Sequence, residues 1–271
     1  MTLYFSKTML LKLKSLLKKN RAVYRIVVFL FTIFQYIRGT PLRDYLNFER
    51  YFLFLKVSPF TMVPYLRLTN VYNLAGVMEK KKIKGAFVEC GVWKGGCSAI
   101  MAYVARKSER KIWLFDSFEG MPEASEKDGP EAKELARNRF GSELKPVGTN
   151  VATIADCEEI LFNKLHLNKK NIIFRKGWFQ DALPKSKFEV GDVAILRIDA
   201  DWYESTKYCL ENLYDNVVPG GCIIIDDYGY YQGCKLAVDE FIKKRKLSVK
   251  INKIDGVGIF FQKNISNWKS F

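Results

Sequence analysis

Histidine is nearly missing from the 271 residues: there is one, His166, in a stretch of helical character. Imidazole clusters of the kind that hold zinc are therefore excluded. The six cysteines, Cys90, Cys97, Cys157, Cys209, Cys222 and Cys234, include no CxxC pair, which argues against a thiolate metal site. Cys90 and Cys222 lie in apolar runs and read as buried thiols, and a reducing cytoplasm is the expected compartment. No internal repeat and no low-complexity linker interrupts the chain. The apolar run "IVVFLFTIFQYI", Ile26 to Ile37, is shorter than the ~20 residues a spanning helix needs. It lacks a small-residue cleavage site, so a secretory signal peptide is not expected either.

Positive charge is what the chain has in excess: 44 Lys and Arg against 29 Asp and Glu, a net charge of +15. Such a balance favours acidic partners. Much of it lies before residue 50, in "KLKSLLKKNR" and the arginines after it. A basic helix followed by a short apolar one reads as an arm, residues 1–57, ahead of a catalytic domain, 58–271. The arm is expected to pack on its own domain or to make a homo-oligomer contact. Peripheral contact with the inner face of a membrane is the second reading. Nucleic acid is not expected as a partner, because no reader motif accompanies the charge.

From Met62 onward, apolar strands alternate with helical periodicity. Short buried strands are expected at "GAFVECG", "KIWLFDSF", "NIIFRKGWF", "VAILRID" and "CIIID", and a terminal hairpin at "VKINKIDGVGIFFQK" around a tight Asp-Gly turn. Helices are expected at "MVPYLRLTNVYNLAGVMEK", "GGCSAIMAYVARKSE", "ADCEEILFNKLHL", "STKYCLENLYDNV" (capped by Ser205 or Thr206) and "CKLAVDEFIKKRK". Residues 119–149 are polar and rich in turn formers, a lid or insertion. The pattern predicts an α/β fold, a mostly parallel sheet covered on both faces with an antiparallel edge strand from the hairpin. Ligands of such sheets bind outside the carboxyl ends of the strands. Glu89, Asp116, Asp199, Asp201, Asp226 and Asp227 all fall there.

Three motifs stand at that edge. In "VECGVWKGG", Gly91 and Gly95 allow close approach of backbone to ligand, and the next helix offers unpaired N–H groups. The spacing is not GxGxxG, and a plain tight turn would look similar. Asp116, ending the following strand in "FDSF", adds an acid of the kind that accepts hydrogen bonds from ribose hydroxyls. In "RIDADWYEST" and "IIIDDYG", Asp199, Asp201, Asp226 and Asp227 end two strands. If those strands are neighbours, ~5 Å apart, the carboxylates can share one cation. An all-oxygen donor set suits Mg²⁺, and a carboxylate outside the ligand set could accept a proton from a substrate hydroxyl. Asp226 and Asp227 alone are equally compatible with a wet turn. Trp178, in "RKGWFQDALP", reads as an adenine platform or as a core residue.

The ordered blocks "FVECGVWKGG", "LFDSFEGMP", "GWFQDALP", "LRIDADWYEST" and "PGGCIIIDDYG…CKLAVDEF" span roughly Met62 to Phe261. They resemble the SAM- and Mg²⁺-dependent sugar O-methyltransferases typified by macrocin O-methyltransferase of macrolide biosynthesis. The resemblance implies a class I SAM-dependent methyltransferase fold, Rossmann-like and seven-stranded, with S-adenosyl-L-methionine at the carboxyl edge and a sugar-containing acceptor. It implies Asp199, Asp226 and Asp227 as metal ligands and Asp201 as general base. Glu89, Gly91 and Asp116 become cofactor contacts, with Gly95 and Asp199 beside them and Ser117 and Trp178 near the adenine. Ala200 stands where the family usually has Gly. The arm before Phe60 has no counterpart, and 119–149 aligns poorly. Two other readings remain open: a glycosyltransferase using "DAD" as a DxD motif, and a basic membrane-associated module with a methyltransferase fold but no turnover.

Overall fold

A computed structural model describes residues 47–129, 132 and 150–264. The rest of the expected arm, residues 1–46, and residues 130, 131 and 133–149 of the expected lid lie outside the described residues. The chain divides into two compact units, Met1–Pro59 and Phe60–Phe271. In the first, helix α1 (Phe48–Val57) starts at Asn47, whose side chain accepts the Arg50 N–H at 3.1 Å. This is the usual remedy for an unpaired N-terminal donor. Among the described residues no helix is long and apolar enough to cross a membrane.

The second unit is built on one seven-stranded sheet: β1 (Ala86–Cys90), β2 (Ile112–Asp116), β3 (Ile172–Lys176), β4 (Val193–Ile198), β5 (Val217–Ile225), β6 (Asn252–Lys253) and β7 (Ile259–Gln262), in the order β3-β2-β1-β4-β5-β7-β6. Strands β1 to β5 pair in parallel. The near-continuous apolar runs of β1, β2, β4 and β5 are what a parallel sheet buried on both faces requires. The reversed strand is β7, which lies between β5 and the two-residue β6 that forms the rim. Its hairpin loop is wider than a two-residue turn. Asp255 Oδ1 accepts the N–H groups of Val257 (2.8 Å) and Gly258 (2.7 Å) and holds it open.

Helices α2 (Tyr65–Lys80), α3 (Gly96–Val104), α4 (Ile154–Glu158, continued as a π-turn to Lys164), α5 (Phe179–Val190), α6 (Tyr203–Leu213) and α7 (Gln232–Lys244) accompany the sheet. Three local readings change. Helix α5 is not among the expected helices, and Pro184 falls inside it; the bond from position 184 to the Gln180 carbonyl is forfeited, yet Leu183 and Val190 are buried and hold the helix in place. Ser205 and Thr206 do not cap α6, which starts two residues earlier at Tyr203. The Tyr203 N–H is met instead by Asp128 Oδ1, 2.6 Å away and 75 residues back. Strand β5 is longer than the expected "CIIID": it starts at Val217 and takes in "VVPGG", with a register shift against β4.

Candidate active site

The exits of β1, β2 and β4 interlock through backbone. Gly91 has φ +87°, and a Cβ there would lie 1.8 Å from the Asp199 carbonyl oxygen; only glycine lets the two loops pass. The Asp199 N–H bonds back to Cys90 O at 2.9 Å. Asp116 is the second fastener. Its Oδ2 accepts the N–H groups of Val92 (2.7 Å) and Trp93 (2.9 Å), and its Oδ1 accepts that of Phe118 (2.7 Å). Trp93 and Phe118 both have positive φ, +50° and +53°, a conformation that costs a non-glycine residue about 1 kcal/mol or more. Three hydrogen bonds to one carboxylate hold it.

Under this loop sits Arg197 in β4, 1% exposed. Its Nη1 binds Glu89 Oε1 (2.5 Å) and Asp199 Oδ2 (2.9 Å), and its Nη2 binds Asp226 Oδ1 (2.5 Å). One guanidinium thus ties the ends of β1, β4 and β5 together, using the fixed fork that lysine lacks. Arg67, on α2, reaches Asp226 from the other side and also Asp255 (3.1 Å). Glu89 takes a further bond from the Ser98 hydroxyl. Burial pushes the Glu89 carboxyl up to about 7, against the pull of Arg197 and Ser98. Burial also raises Asp226, with Arg197 and Arg67 opposing and Asp199 adding to the rise.

Asp199, Asp226 and Asp227 each place a carboxylate oxygen within 4.8 Å of the others. Asp227 is pushed well above the carboxylate range, first by burial and then by Asp201, Asp199 and Asp226. Its Oδ2 is buried without a hydrogen-bond partner. An orphaned carboxylate oxygen facing other carboxylates is a costly arrangement and is what a hard cation would satisfy. The donor set fits Mg²⁺. Asp201 is next to this cluster in sequence, at φ +54°.

A cavity of about 840 Å³ opens over these groups, within the size range of small-molecule sites. It is lined by Glu89, Gly91, Asp116, Ser117, Trp178, Asp199, Asp201, Asp226 and Asp227, so the expected residues converge on one space. Gly95 is the exception. It lies outside the lining, where its φ of +86° starts α3 beside Cys157; Gly96 lines the cavity instead. Ser117 spends its hydroxyl on Gly120 O (3.0 Å), and Trp178 is half-buried rather than core. The described start of the expected lid forms part of the wall. Trp202 Nε1 donates to Pro122 O (2.8 Å), and Asp128, besides holding Tyr203, accepts the Ser125 N–H and hydroxyl at 2.7 Å each.

Arg197 and Arg67 are the participants the motifs did not single out. Arg197 had a readable signal, a cation inside an apolar strand, which needs a buried partner. Arg67 had none, being an ordinary-looking helix position whose partners lie 159 and 188 residues away.

A mostly parallel sheet in this strand order, with a glycine turn after β1, an acid ending β2 and a carboxylate cluster after β4 and β5, defines a class I SAM-dependent methyltransferase. Within that class the chain belongs to the macrocin-O-methyltransferase (TylF) family, which matches residues 56–263. It is an O-methyltransferase. It is 34% identical over 213 residues to the 8-demethyl-8-(2,3-dimethoxy-alpha-L-rhamnosyl)-tetracenomycin-C 4'-O-methyltransferase of Streptomyces olivaceus, covering 78% of each chain. It is 33% identical to the demethyldecarbamoylnovobiocin O-methyltransferase of Streptomyces niveus, covering 75% of each. Among solved structures, the O-methyltransferase NovP superposes with a TM-score of 0.67 at 32% identity, over 76% of this chain and 82% of that one. Family membership sets aside the DxD glycosyltransferase reading and the module without turnover.

Proposed function

We propose that this enzyme methylates a hydroxyl of a sugar in a glycan or glycosylated small molecule, with a divalent cation at Asp199, Asp226 and Asp227. The observation that carries this reading is the convergence of those three carboxylates within 4.8 Å, beside Asp201, in a cavity that also holds the glycine turn and Asp116. The named sugar O-methylation of the Streptomyces olivaceus relative supports the acceptor class. When bound, SAM supplies the electrophilic methyl group, and Mg²⁺ the positive charge that makes a nearby hydroxyl more acidic.

The chain's own residues then divide the work. Asp201 takes the proton from the acceptor hydroxyl. Glu89, Gly91, Asp116, Ser117 and Trp178 line the donor half of the cavity, with Gly95 acting through the α3 turn. Arg197 fixes Glu89, Asp199 and Asp226 relative to one another, so that acceptor and donor meet in line. Residues 1–57 form the arm and 58–271 the catalytic domain, in a cytoplasmic enzyme. The arm's partner, whether its own domain, a second subunit or a membrane face, is separable by liposome flotation of the full chain against one starting at Ser58.

The function is tested by incubating the full chain with SAM, MgCl₂ and a panel of rhamnosides and other glycosides, followed by mass spectrometry. A gain of one methyl group on a sugar is expected. Methylation confined to non-sugar hydroxyls would overturn the acceptor class.

A further inference from the structure

Tyr230 and Tyr231 follow the paired aspartates of β5 and have no part in the chemistry above. The N–H groups of both donate to the Asp227 carbonyl, at 3.0 and 3.1 Å, which ties their backbone to the carboxylate cluster. Their rings continue a ladder. Trp202 meets Tyr231 edge to face with centroids 4.9 Å apart, and Tyr231 meets Tyr230 the same way at 4.7 Å. Exposure rises along it, from Trp202 at 3% through half-buried Tyr231 to Tyr230 at 60%. All three line the cavity. Tyr230 is braced by Tyr231, which Trp202 backs in turn, and a ring held in this way has little freedom left to lose.

Position along the sheet edge shows which ligand this ring meets. Trp178 follows β3, Asp116 ends β2 and the glycine turn follows β1, which makes that side the donor half. The tyrosines follow β5, three strand spacings or about 14 Å from β2, with the aspartates of β4 between. Glu204 and Ser205, on the first turn of α6, line the same cavity and offer hydrogen bonds to hydroxyls.

We propose that Tyr230, braced by Tyr231 and Trp202, is the platform on which the acceptor's pyranose ring stacks. This rests on the sugar reading above and gives it a residue. A pyranose has a C–H face that an aromatic ring can cover, while the hydroxyls at its edge stay available to Asp201, Glu204 and Ser205. The site would therefore select pyranosides with one face clear of axial hydroxyls, and the selection would be made by ring stacking.

Saturation-transfer NMR tests this on the full chain with S-adenosylhomocysteine and MgCl₂, using methyl α-L-rhamnopyranoside and methyl β-D-glucopyranoside as probes. Saturation is expected to reach the ring C–H protons of a probe in the wild type. Tyr230→Ala should raise the Kd about fivefold and Tyr230→Phe should leave it within about twofold, with S-adenosylhomocysteine affinity by calorimetry the same in all three. An unchanged Kd in Tyr230→Ala, or an equal loss in Tyr230→Phe, overturns the platform and leaves the sugar reading standing. Absence of transfer to either pyranoside in wild type that still binds S-adenosylhomocysteine overturns the sugar reading and the platform with it.

Discussion

Arg197 and Asp226 face each other across β4 and β5 with Nη2 to Oδ1 at 2.5 Å, and both are almost sealed from solvent. A buried guanidinium shared among three carboxylates is a poor source of net stability but a costly thing to break. Arg197→Leu leaves Glu89 and Asp199 without their cation and Asp226 with Arg67 alone. It is expected to lower the unfolding free energy by about 3–5 kcal/mol, measured by urea denaturation. A loss below about 1 kcal/mol would mean the three carboxylates are protonated or solvated without it.

Gly91 and Gly76 should respond in opposite directions to the same change. A Cβ at Gly91 would collide with Asp199 O, whereas one at Gly76, inside α2, meets nothing within 4 Å. Gly91→Ala is expected to cost about 3 kcal/mol or more and to disrupt SAM binding. Gly76→Ala should gain about 0.5–1 kcal/mol from helix propensity. Thermal unfolding of both variants beside the wild type reads the difference directly.

The pH dependence has a defined sign. Glu89 has a folded value near 7 against an ordinary 4.5. The folded state therefore holds its proton more tightly than the unfolded state. Stability from this group is full below about 4.5 and is lost as pH rises toward about 7. Glu89→Gln should flatten that decline in the metal-free protein. An identical pH–stability curve in the variant would show that Arg197 keeps Glu89 ionised throughout.

Metal and base can be separated by two treatments. EDTA should abolish turnover and MgCl₂ restore it, while Mg²⁺ raises the melting temperature of the wild type and not of Asp227→Asn. Asp201→Asn should keep the Mg²⁺ shift and near-normal SAM affinity but lose about 10²-fold or more in kcat. Full activity after exhaustive chelation would remove the metal from the reaction, and full activity in Asp201→Asn would remove the base.

The alternation of apolar runs and helical periods along the chain was enough to specify a parallel sheet. The acids at strand ends were enough to specify its working edge, because burial on both faces leaves a strand no freedom in composition. Asp199, Asp201, Asp226 and Asp227 could be placed together from sequence because adjacent parallel strands bring their C-terminal ends together; the division into three ligands and a base came from the family resemblance. Other features were decided only by the folded chain. The α6 N-terminus is held by Asp128 rather than by Ser205 or Thr206, α5 runs through Pro184, and the cluster is bound by Arg197 and Arg67. Each depends on a partner tens to nearly two hundred residues away, and no local propensity records that. The buried charges took their protonation preferences from the same source, since desolvation and neighbouring carboxylates exist only once the strands have met.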